Sequence, residues 1–348
     1  MFRPCELTTP LDWHGLRSYL GGLGHELDLS SPARQFAGGL GNLNFLITVD
    51  GKRCVLRRPP LGPIPRGAND MAREHQVLRT LWRAYPWAPQ SLLYCADPAV
   101  LGAHFLIMAY QPGLVIGGEM PSEIDPAQAG PVLSAHLVSL LAALHGVPLE
   151  SVGLGELGRP DGFLERACEG WARRASAAAE SPNDSLLGEL VGWLRRNKVP
   201  DCAPTLLHCD FKLDNIVLDP HSLKPMAVLD WDMSTRGDPL FDVATLLSYW
   251  TEATDPPAVQ ALGQMPTALP GFWSRAQVLQ EYSKATGRDV SDFLFYRVLA
   301  LFKLGVVFLQ LHARFRAGAT TDGRYARFGA LGRDILDFSL CVARGRAH

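Results

Sequence analysis

Residues 207–242 constrain the fold more than any other part of the chain, because polar side chains there stand at the ends of two short apolar runs. Asn215 opens the first run, Asp230 closes the second, and a turn rich in Asp, Pro and Ser joins them, which predicts a β-hairpin. We expect Val217 to pair with Val228. In that register Asn215 lies opposite Asp230, about 4.5–5.5 Å apart at Cβ. An amide oxygen and a carboxylate so placed predict a Mg²⁺ site.

A second group of polar residues precedes the hairpin, in the sequence HCDFK. Beside a metal-bound triphosphate, the Asp210 carboxylate could accept a hydroxyl proton or orient the hydroxyl, and Lys212 could neutralise charge on the transferred phosphoryl group. His208 is more plausible as a residue that fastens the loop. Each of these residues taken alone is more often a turn former or a cap. The combined His-x-Asp-x4-Asn spacing, followed by Asp230, favours the chemical interpretation.

This segment resembles the catalytic loop of the protein-kinase-like superfamily. Asp210 and Asn215 match its catalytic-loop pattern, and Asp230 matches its metal-binding aspartate. The sequence LDWDMSTRGDPLFD is similar to the aminoglycoside phosphotransferase and choline kinase branch, where 237–239 and Asp242 would brace the loop. The resemblance implies an α+β, bilobal protein-kinase-like fold. Its small lobe would be an antiparallel β-sheet with one helix, and its larger lobe would be mainly helical.

Further segments narrow the resemblance within that branch. The sequences VLRRPP, REHQVLRTL and FYRVLALFKLGVVFLQLHARF resemble the phosphotransferase domains fused to acyl-CoA dehydrogenases and their free-standing bacterial relatives. The similarity spans most of residues 30–330 and is strongest at 207–242. It implies that a hydroxylated acyl thioester or a similar metabolite is the phosphate acceptor.

The resemblance also implies a nucleotide site in the first third of the chain. The residues assigned to the cofactor ATP are Gly39, Gly41, Asn42, Arg57, Glu74, Ala109, Tyr110 and Gln111. Bare glycine backbone can approach phosphates, although a glycine-rich hairpin would look the same. Arg57 stands where lysine is usual, and arginine is a wider, more rigid, bidentate phosphate ligand. Glu74, on the following helix, would orient Arg57, and the backbone at 109–111 would bind adenine.

Apolar periodicity divides the chain near residue 111, with strands and one helix before it and helices almost to the end after it. We therefore predict an N-terminal nucleotide-binding lobe over 1–111, with a leading helix at about 8–22. The C-terminal helical lobe would span 112–348 and contain the catalytic loop and metal-binding hairpin at 205–232.

Composition excludes several classes of protein. With 47% apolar and 20% charged residues, the chain is neither disordered nor fibrous. A formal net charge of −2 offers no overall attraction to nucleic acid or an anionic membrane. Seven cysteines without a C-x-x-C pair argue against a disulfide framework and favour a reducing cytosol. The apolar run 298–309 is too short to span a bilayer, and the N-terminus lacks signal-peptide character. We predict a cytoplasmic protein without nucleic-acid or membrane partners and leave its oligomeric state open.

The distribution of charge bears on the acceptor. Residues 289–327 carry six basic side chains and three acidic ones, which favours an anionic substrate over a polycationic aminoglycoside. The basic side chains are Arg297, Lys303, Arg314, Arg316, Arg324 and Arg327. Residues 114–204 instead carry twelve acidic and seven basic residues, and most charges of both segments are expected on solvated helix faces.

Together these features predict an ATP- and Mg²⁺-dependent phosphotransferase that acts on a hydroxyl of a small molecule. A hydroxyacyl-CoA-like or other anionic metabolite is the favoured acceptor. Two alternatives stay open: a catalytically silent nucleotide-binding module, and an aminoglycoside or amino-alcohol kinase.

Overall fold

The computed structural model describes residues 2–38, 41–61, 69–179, 181, 183–318 and 323–347. It divides into two compact units. Unit 1 consists of Met1–Leu114, Pro148–Gly155 and Ile216–Ser234, and unit 2 of Val115–Val147, Glu156–Asn215 and Thr235–His348. The predicted division after residue 111 lies close to the end of the first segment of unit 1. The hairpin, which the sequence analysis placed with the helices, belongs to unit 1, and the assignment of functions to two lobes stays a prediction.

In the described residues, the strands are, in chain order, β1 (Arg34–Gln35), β2 (Leu43–Val49), β3 (Lys52–Arg58), β4 (Ser91–Cys95), β5 (Phe105–Ala109), β6 (Thr205–Leu207), β7 (Ile216–Leu218), β8 (Pro225–Val228) and β9 (Thr235–Gly237). Strands β1–β5 form an antiparallel sheet in the order β1-β2-β3-β5-β4, and β6 pairs with β9 and β7 with β8.

The α-helices of the same residues are α1 (Trp13–Gly22), α2 (Met71–Leu78), α3 (Pro98–Leu101), α4 (Pro126–His145), α5 (Phe163–Ala178), α6 (Ser185–Arg196), α7 (Pro239–Tyr249), α8 (Pro257–Gln260), α9 (Arg275–Thr286), α10 (Phe293–Arg316) and α11 (Phe328–Ala343). Short 3₁₀ turns include Leu213–Asn215.

The hydrophobic core of unit 1 lies on one face of the five-stranded sheet. Alternate residues of β2, Phe45 and Ile47, point to this face together with Leu56 of β3. Leu16 and Leu20 of α1 belong to the same buried cluster, so the helix covers this side of the sheet. Full burial of each such side chain contributes about 1.5–3 kcal/mol.

The leading helix is shorter than predicted. It begins at Trp13, because the Asp12 carboxylate accepts a hydrogen bond from the Gly15 N–H at 2.8 Å and so forms the N-terminal cap. Upstream of the helix, the Thr9 N–H donates to Oε1 of Gln35 in β1 at 2.7 Å, so Thr9 contacts the sheet and is not part of the helix. The expected helix over about 8–22 is therefore wrong in its first turn.

The hairpin forms, but its predicted register is wrong by one residue. Val228 pairs with Ile216, and Ala227 pairs with Val217, with an irregularity after Val217. Beyond the irregularity Leu218 pairs with Pro225, and its N–H and carbonyl form hydrogen bonds of 2.8 Å with the carbonyl and N–H of Leu114. In the observed register the hairpin does not place Asn215 opposite Asp230.

Unit 2 is organised around the helix α10, which packs against α5, α7 and α11. This helix extends beyond the apolar run 298–309 at both ends, and Lys303 within the run is buried. Among the described residues, α4 and α10 are long and apolar enough to cross a membrane by length and composition alone. However, 50% and 78% of their apolar windows are buried inside the protein, as in an ordinary core helix.

Candidate active site

In unit 1 the buried guanidinium of Arg57 lies among three carboxylates, and we call Arg57, Glu74, Asp230 and Asp232 the Arg57 cluster. Arg57 lies on β3, and its Nε donates to Glu74 Oε2 at 2.8 Å. Its Nη2 donates to Asp230 Oδ1 and lies 3.9 Å from Asp232 Oδ2. Asn44, its cross-strand partner on β2, accepts from Nη1 at 3.4 Å. The structure thus brings together Arg57, Glu74 and Asp230, all predicted as site residues.

The electrostatics of this cluster link the pKa values of Arg57 and Glu74 to the neighbouring carboxylates. Burial lowers the pKa of Arg57, but Asp230, Glu74 and Asp232 outweigh it, so the pKa is raised. The pKa of Glu74 is raised to about 7, mainly by burial; Asp232 and Asp230 add to this rise, and Arg57 opposes it. A change in any one of these charges is therefore expected to shift the pKa of the others.

The raised pKa of Glu74 predicts a pH-dependent stability. Between its ordinary value of 4.5 and about 7, the folded protein binds more protons than the unfolded chain. Ionisation of Glu74 therefore contributes to the pH dependence of the free energy of unfolding. That contribution is highest below about pH 4.5, falls as the pH rises to about 7, and is constant above. Glu74→Gln cannot ionise, so the difference in unfolding free energy between wild type and E74Q should fall over this range. Urea denaturation at several pH values measures it, and a difference independent of pH would contradict the assignment.

Sequence reasoning missed Asp232, although the D-x-D spacing after the hairpin was an available signal. Its Oδ2 accepts from Asn42 Nδ2 at 3.1 Å, and Asn42 Oδ1 in turn accepts from Asn69 Nδ2 at 2.9 Å. Gly41 lies close to the same Asn69 amide, since a Cβ on this glycine would be 3.3 Å from its nitrogen. The predicted residue Gly39 lies outside the described residues.

The predicted adenine-binding stretch continues from β5. The Ala109 N–H donates to Gln90 O at 2.9 Å, so it is already engaged by the protein backbone. The Tyr110 ring lies 6.2 Å from the Phe36 ring between centroids, and the Arg53 guanidinium lies 5.0 Å from the Tyr110 centroid. Adenine recognition by the backbone of Ala109, Tyr110 and Gln111 stays a prediction.

In unit 2 the predicted catalytic loop forms a second group, the Asp210 cluster, which comprises Asp210, Lys212, Asn215 and Tyr249. Asp210 Oδ1 accepts from the Tyr249 hydroxyl at 2.7 Å. Asp210 Oδ2 accepts from Asn215 Nδ2 at 3.2 Å and lies 3.4 Å from Lys212 Nζ. The side chains of Asp210 and Lys212 are 19% and 14% exposed, so both are held in place yet accessible.

Tyr249 is a residue that the sequence analysis did not find. It ends α7, a mainly apolar helix in which a tyrosine is most simply read as a core residue, and its ring centroid lies 5.1 Å from Lys212 Nζ. The Asn215 amide nitrogen also donates to the Asp210 carbonyl at 2.8 Å. Because both partners of this nitrogen are acceptors, the amide orientation is chemically determined, and Oδ1 is the atom that could bind a cation.

The backbone of the loop is braced by Asp242, in agreement with the role that the resemblance implied. Its two carboxylate oxygens accept from the N–H groups of His208 and Cys209 at 2.6 and 2.7 Å. His145 contacts Asp242 through Nε2 at 3.4 Å and Tyr282 through Nδ1 at 2.7 Å. Burial lowers the pKa of His145, which makes it a neutral core histidine with a structural role.

Within the described residues, no group of three or more His, Cys, Asp or Glu side chains has the arrangement of a metal site. The predicted Mg²⁺ ligands, Asn215 and Asp230, stay a prediction.

Comparison with known proteins identifies the family. A model of the phosphotransferase enzyme family matches residues 32–278. Acyl-CoA dehydrogenase family member 11 of Gallus gallus is 32% identical over 323 residues, covering 89% of this chain and 40% of the relative. Probable acyl-CoA dehydrogenase IBR3 of Arabidopsis thaliana is 31% identical over 324 residues, covering 88% and 39%. The chain thus spans about two fifths of the length of these relatives.

Other relatives and solved structures agree with this result. A thiamine kinase of Escherichia coli is 26% identical over 231 residues, covering 64% of this chain and 68% of the relative. A structure from Ralstonia eutropha, assigned as an aminoglycoside phosphotransferase, has a TM-score of 0.78 at 23% identity and covers 97% of this chain and 99% of its own. Aminoglycoside phosphotransferase APH(4)-Ia with ADP and hygromycin B has a TM-score of 0.60 at 15% identity, covering 96% and 99%.

The solved structures confirm the predicted α+β, protein-kinase-like fold. The family model agrees with the predicted class, a phosphotransferase. The resemblance to acyl-CoA dehydrogenase-associated domains is confirmed as well, since the relatives from Gallus gallus and Arabidopsis thaliana carry that name. With more than two thirds of its length matched by the family model, the chain belongs to the phosphotransferase enzyme family.

Proposed function

We propose that the protein is an ATP- and Mg²⁺-dependent kinase that transfers the γ-phosphate to a hydroxyl group of a small molecule. The observation that carries this proposal is the Asp210 cluster. A partly exposed carboxylate is oriented by Tyr249 and Asn215, lies beside the Lys212 ammonium, and sits on a loop whose backbone Asp242 braces. A fixed carboxylate next to a cation suits a reaction in which positioning and charge stabilisation supply most of the rate.

In this reaction Asp210 accepts or orients the proton of the acceptor hydroxyl. Lys212, 3.4 Å from Asp210 Oδ2, neutralises the negative charge that spreads over the transferred phosphoryl group. Lys212 also lies 3.6 Å from Asp214 Oδ2, so two carboxylates keep the ammonium close to the loop. Tyr249 keeps the Asp210 carboxylate in one orientation.

We propose Asn215 and Asp230 as the metal ligands of the protein, because an amide oxygen and a carboxylate are hard donors of the kind that Mg²⁺ prefers. The Asn215 amide nitrogen donates to the Asp210 carbonyl, which leaves its oxygen as the donor for a cation. When bound, the ion would neutralise charge on the phosphate groups of the nucleotide.

The nucleotide would be bound by residues of unit 1. Arg57 is the phosphate-binding cation, and Glu74 fixes its orientation through the hydrogen bond at 2.8 Å. Gly39, Gly41 and Asn42 would cover the phosphates. Asp232 supports this assignment, because its hydrogen bond to Asn42 connects the cover to the Arg57 cluster.

For the acceptor we propose a hydroxyacyl-CoA-like or other anionic metabolite. The support is the name shared by the most similar curated relatives and the basic character of residues 289–327. Two of the six basic side chains of this segment cannot easily contact an acceptor, because Arg297 and Lys303 are buried at 9% and 5% exposure. The exposed residues Arg316, Arg324 and Arg327 remain as candidates for contact with a negatively charged acceptor.

Nucleotide binding is the first expected result. Mg²⁺-ATP should raise the unfolding temperature, because a ligand at 100 times its Kd stabilises the folded state by about 2.7 kcal/mol. Differential scanning fluorimetry with ATP, GTP and each nucleotide without Mg²⁺ measures this and identifies the donor. Asp230→Asn should weaken the Mg²⁺-dependent part of the shift. If Mg²⁺-ATP gives no shift, the proposed cofactor is wrong.

The acceptor is then found by ADP release. Purified protein with Mg²⁺-ATP is screened against hydroxyacyl-CoA thioesters, thiamine, amino alcohols, sugars and aminoglycosides. Stimulation by anionic thioesters supports the proposal, whereas stimulation by aminoglycosides or amino alcohols alone would overturn the acceptor class and leave the kinase assignment intact.

One observation favours a second candidate, a catalytically silent nucleotide-binding module. The Arg57 guanidinium forms an ion pair directly with Asp230, the proposed metal ligand. A silent module predicts a thermal shift by ATP without dependence on Mg²⁺, and no ADP release with any acceptor. Localisation in the cytoplasm and the absence of nucleic-acid and membrane partners stay predictions.

A further inference from the structure

Cys209, directly before Asp210, has an unusual backbone conformation. Its φ is +66°, in the left-handed region, and its side chain is only 6% exposed. An L-residue with a β-carbon is disfavoured there because Cβ approaches the backbone carbonyl. Such a residue persists only where its surroundings hold it.

Three side chains of unit 2 form hydrogen bonds with this backbone segment. Asp242 Oδ1 accepts from the Cys209 N–H at 2.7 Å, and Lys303 Nζ donates to the Cys209 carbonyl at 2.7 Å. The following N–H, of Asp210, donates to His208 Nδ1 at 3.3 Å. Lys303 therefore binds the oxygen of the same peptide group that supplies the nitrogen of Asp210.

Packing alone does not explain a lysine at position 303. The residue lies on α10, is 5% exposed, and its ammonium is 5.3 Å from the centroid of the Phe241 ring. In the described part of the chain, no carboxylate lies within salt-bridge distance of this ammonium. Burying a charge without an opposite charge is far less favourable than burying an apolar side chain of similar volume. Unlike methionine or leucine, lysine at this position can donate a hydrogen bond to the Cys209 carbonyl.

We infer that Lys303 is a positioning residue for phosphoryl transfer, which holds Cys209 in the left-handed conformation and thereby fixes the Asp210 carboxylate. The inference rests on the proposed function for its effect on turnover, but not for its effect on the loop. Without the ammonium, the Cys209 carbonyl loses its donor and the residue can relax to negative φ. That rotation turns the peptide group before Asp210 and moves the carboxylate away from Tyr249 and Asn215.

The first test measures the loop without any substrate. Lys303→Met keeps the length of the side chain and removes the donor; Ser339→Ala is the matched control, because Ser339 is buried and donates to the α10 carbonyl of Val298 without contacting the loop. Peptide-resolved mass spectrometry follows alkylation of Cys209 by N-ethylmaleimide. Cys168 on α5 is the internal reference, since it is 2% exposed and burial raises its pKa to about 11, so it reacts mainly on global unfolding.

We expect K303M to accelerate alkylation of Cys209 by about tenfold or more, with Cys168 unchanged, as for a local opening. The S339A variant should change neither rate. Equal acceleration at both cysteines, or no acceleration at Cys209, would overturn the inference.

The second test uses turnover and a suppressor. Glycine adopts positive φ without strain, so Cys209→Gly should make Lys303 less necessary. K303M is expected to lower kcat by about tenfold with little change in KM for ATP, and the loss should be clearly smaller in the C209G background. Release of ADP from Mg²⁺-ATP, with water as acceptor, is the readout. Equal losses in both backgrounds would overturn the inference. If the wild type releases no ADP with water, the acceptor found by the ADP-release screen replaces water in this assay. If no acceptor gives ADP release, the proposed function is contradicted, and the alkylation experiment alone decides the role of Lys303.

Discussion

Replacing Asp210 with asparagine is expected to lower kcat by about 10²–10⁴-fold, the usual contribution of a general base, while Mg²⁺-ATP binding is retained. Asparagine has the same shape and can still accept the hydrogen bond that Tyr249 donates at 2.7 Å. Asparagine cannot take up the proton of the substrate hydroxyl, and it lacks the negative charge that lies beside Lys212. The measurement is steady-state turnover with an acceptor identified by ADP release, together with the Mg²⁺-ATP thermal shift.

Asp214→Asn is the matched control for D210N. It removes a carboxylate that lies 3.6 Å from the same Lys212 ammonium. Because a partly exposed ion pair contributes about 0–1 kcal/mol, we expect kcat to change by less than about fivefold. Normal turnover by D210N would show that Asp210 is not the base. An equal loss in D210N and D214N would point to a general effect of charge near Lys212.

Replacing Arg57 with methionine is expected to lower the free energy of unfolding by about 3–5 kcal/mol at pH 8, the usual loss when one member of a buried ion pair is removed. Glu74 is 0% exposed, and without the guanidinium its negative charge is buried beside those of Asp230 and Asp232. The folded-state pKa of Glu74 should then lie still further above 7. The loss should therefore be smaller at pH 5, where this carboxyl is protonated, and should grow as the pH rises.

Two further variants test this explanation. In R57M/E74Q the buried charge of Glu74 is absent, so part of the lost stability should return at pH 8. Arg53→Met removes an exposed arginine from the same strand, where the contact with the Tyr110 ring contributes about 0.5–1 kcal/mol. Urea denaturation measures all of these variants. Similar losses in R57M and R53M, or no recovery in the double variant, would show that burial of charge is not the cause.

For the first cluster, Arg57 and Glu74 were predicted because the sequence resembles a known family, and the structure brings them together at 2.8 Å. The hairpin was predictable as an element from its two apolar runs and the turn between them. Its register was not, because the three side chains of β7 are all buried and so show no alternation of exposed and buried residues that would fix the pairing.

The second cluster depends on residues that are distant in the chain. Tyr249 is 39 residues from Asp210, and Lys303 is 94 residues from Cys209. Each lies in an apolar helix whose periodicity predicts only burial. The Tyr249 hydroxyl at the end of α7 and the Lys303 ammonium within α10 contact the catalytic loop only because the packing of these helices brings them to it.

The sequence by itself determined the division into strands and helices and the spacing of the polar residues of the catalytic loop, because these depend on local pattern, and its motifs resemble the kinase-like family. Only the tertiary structure decided that Cys209 adopts positive φ, that Lys303 and Asp242 hold it there, and that three carboxylates share Arg57. The physical reason is that burial makes an unsatisfied charge or carbonyl costly, so the packed helices and strands must bring each buried polar group to a partner that the local sequence does not contain.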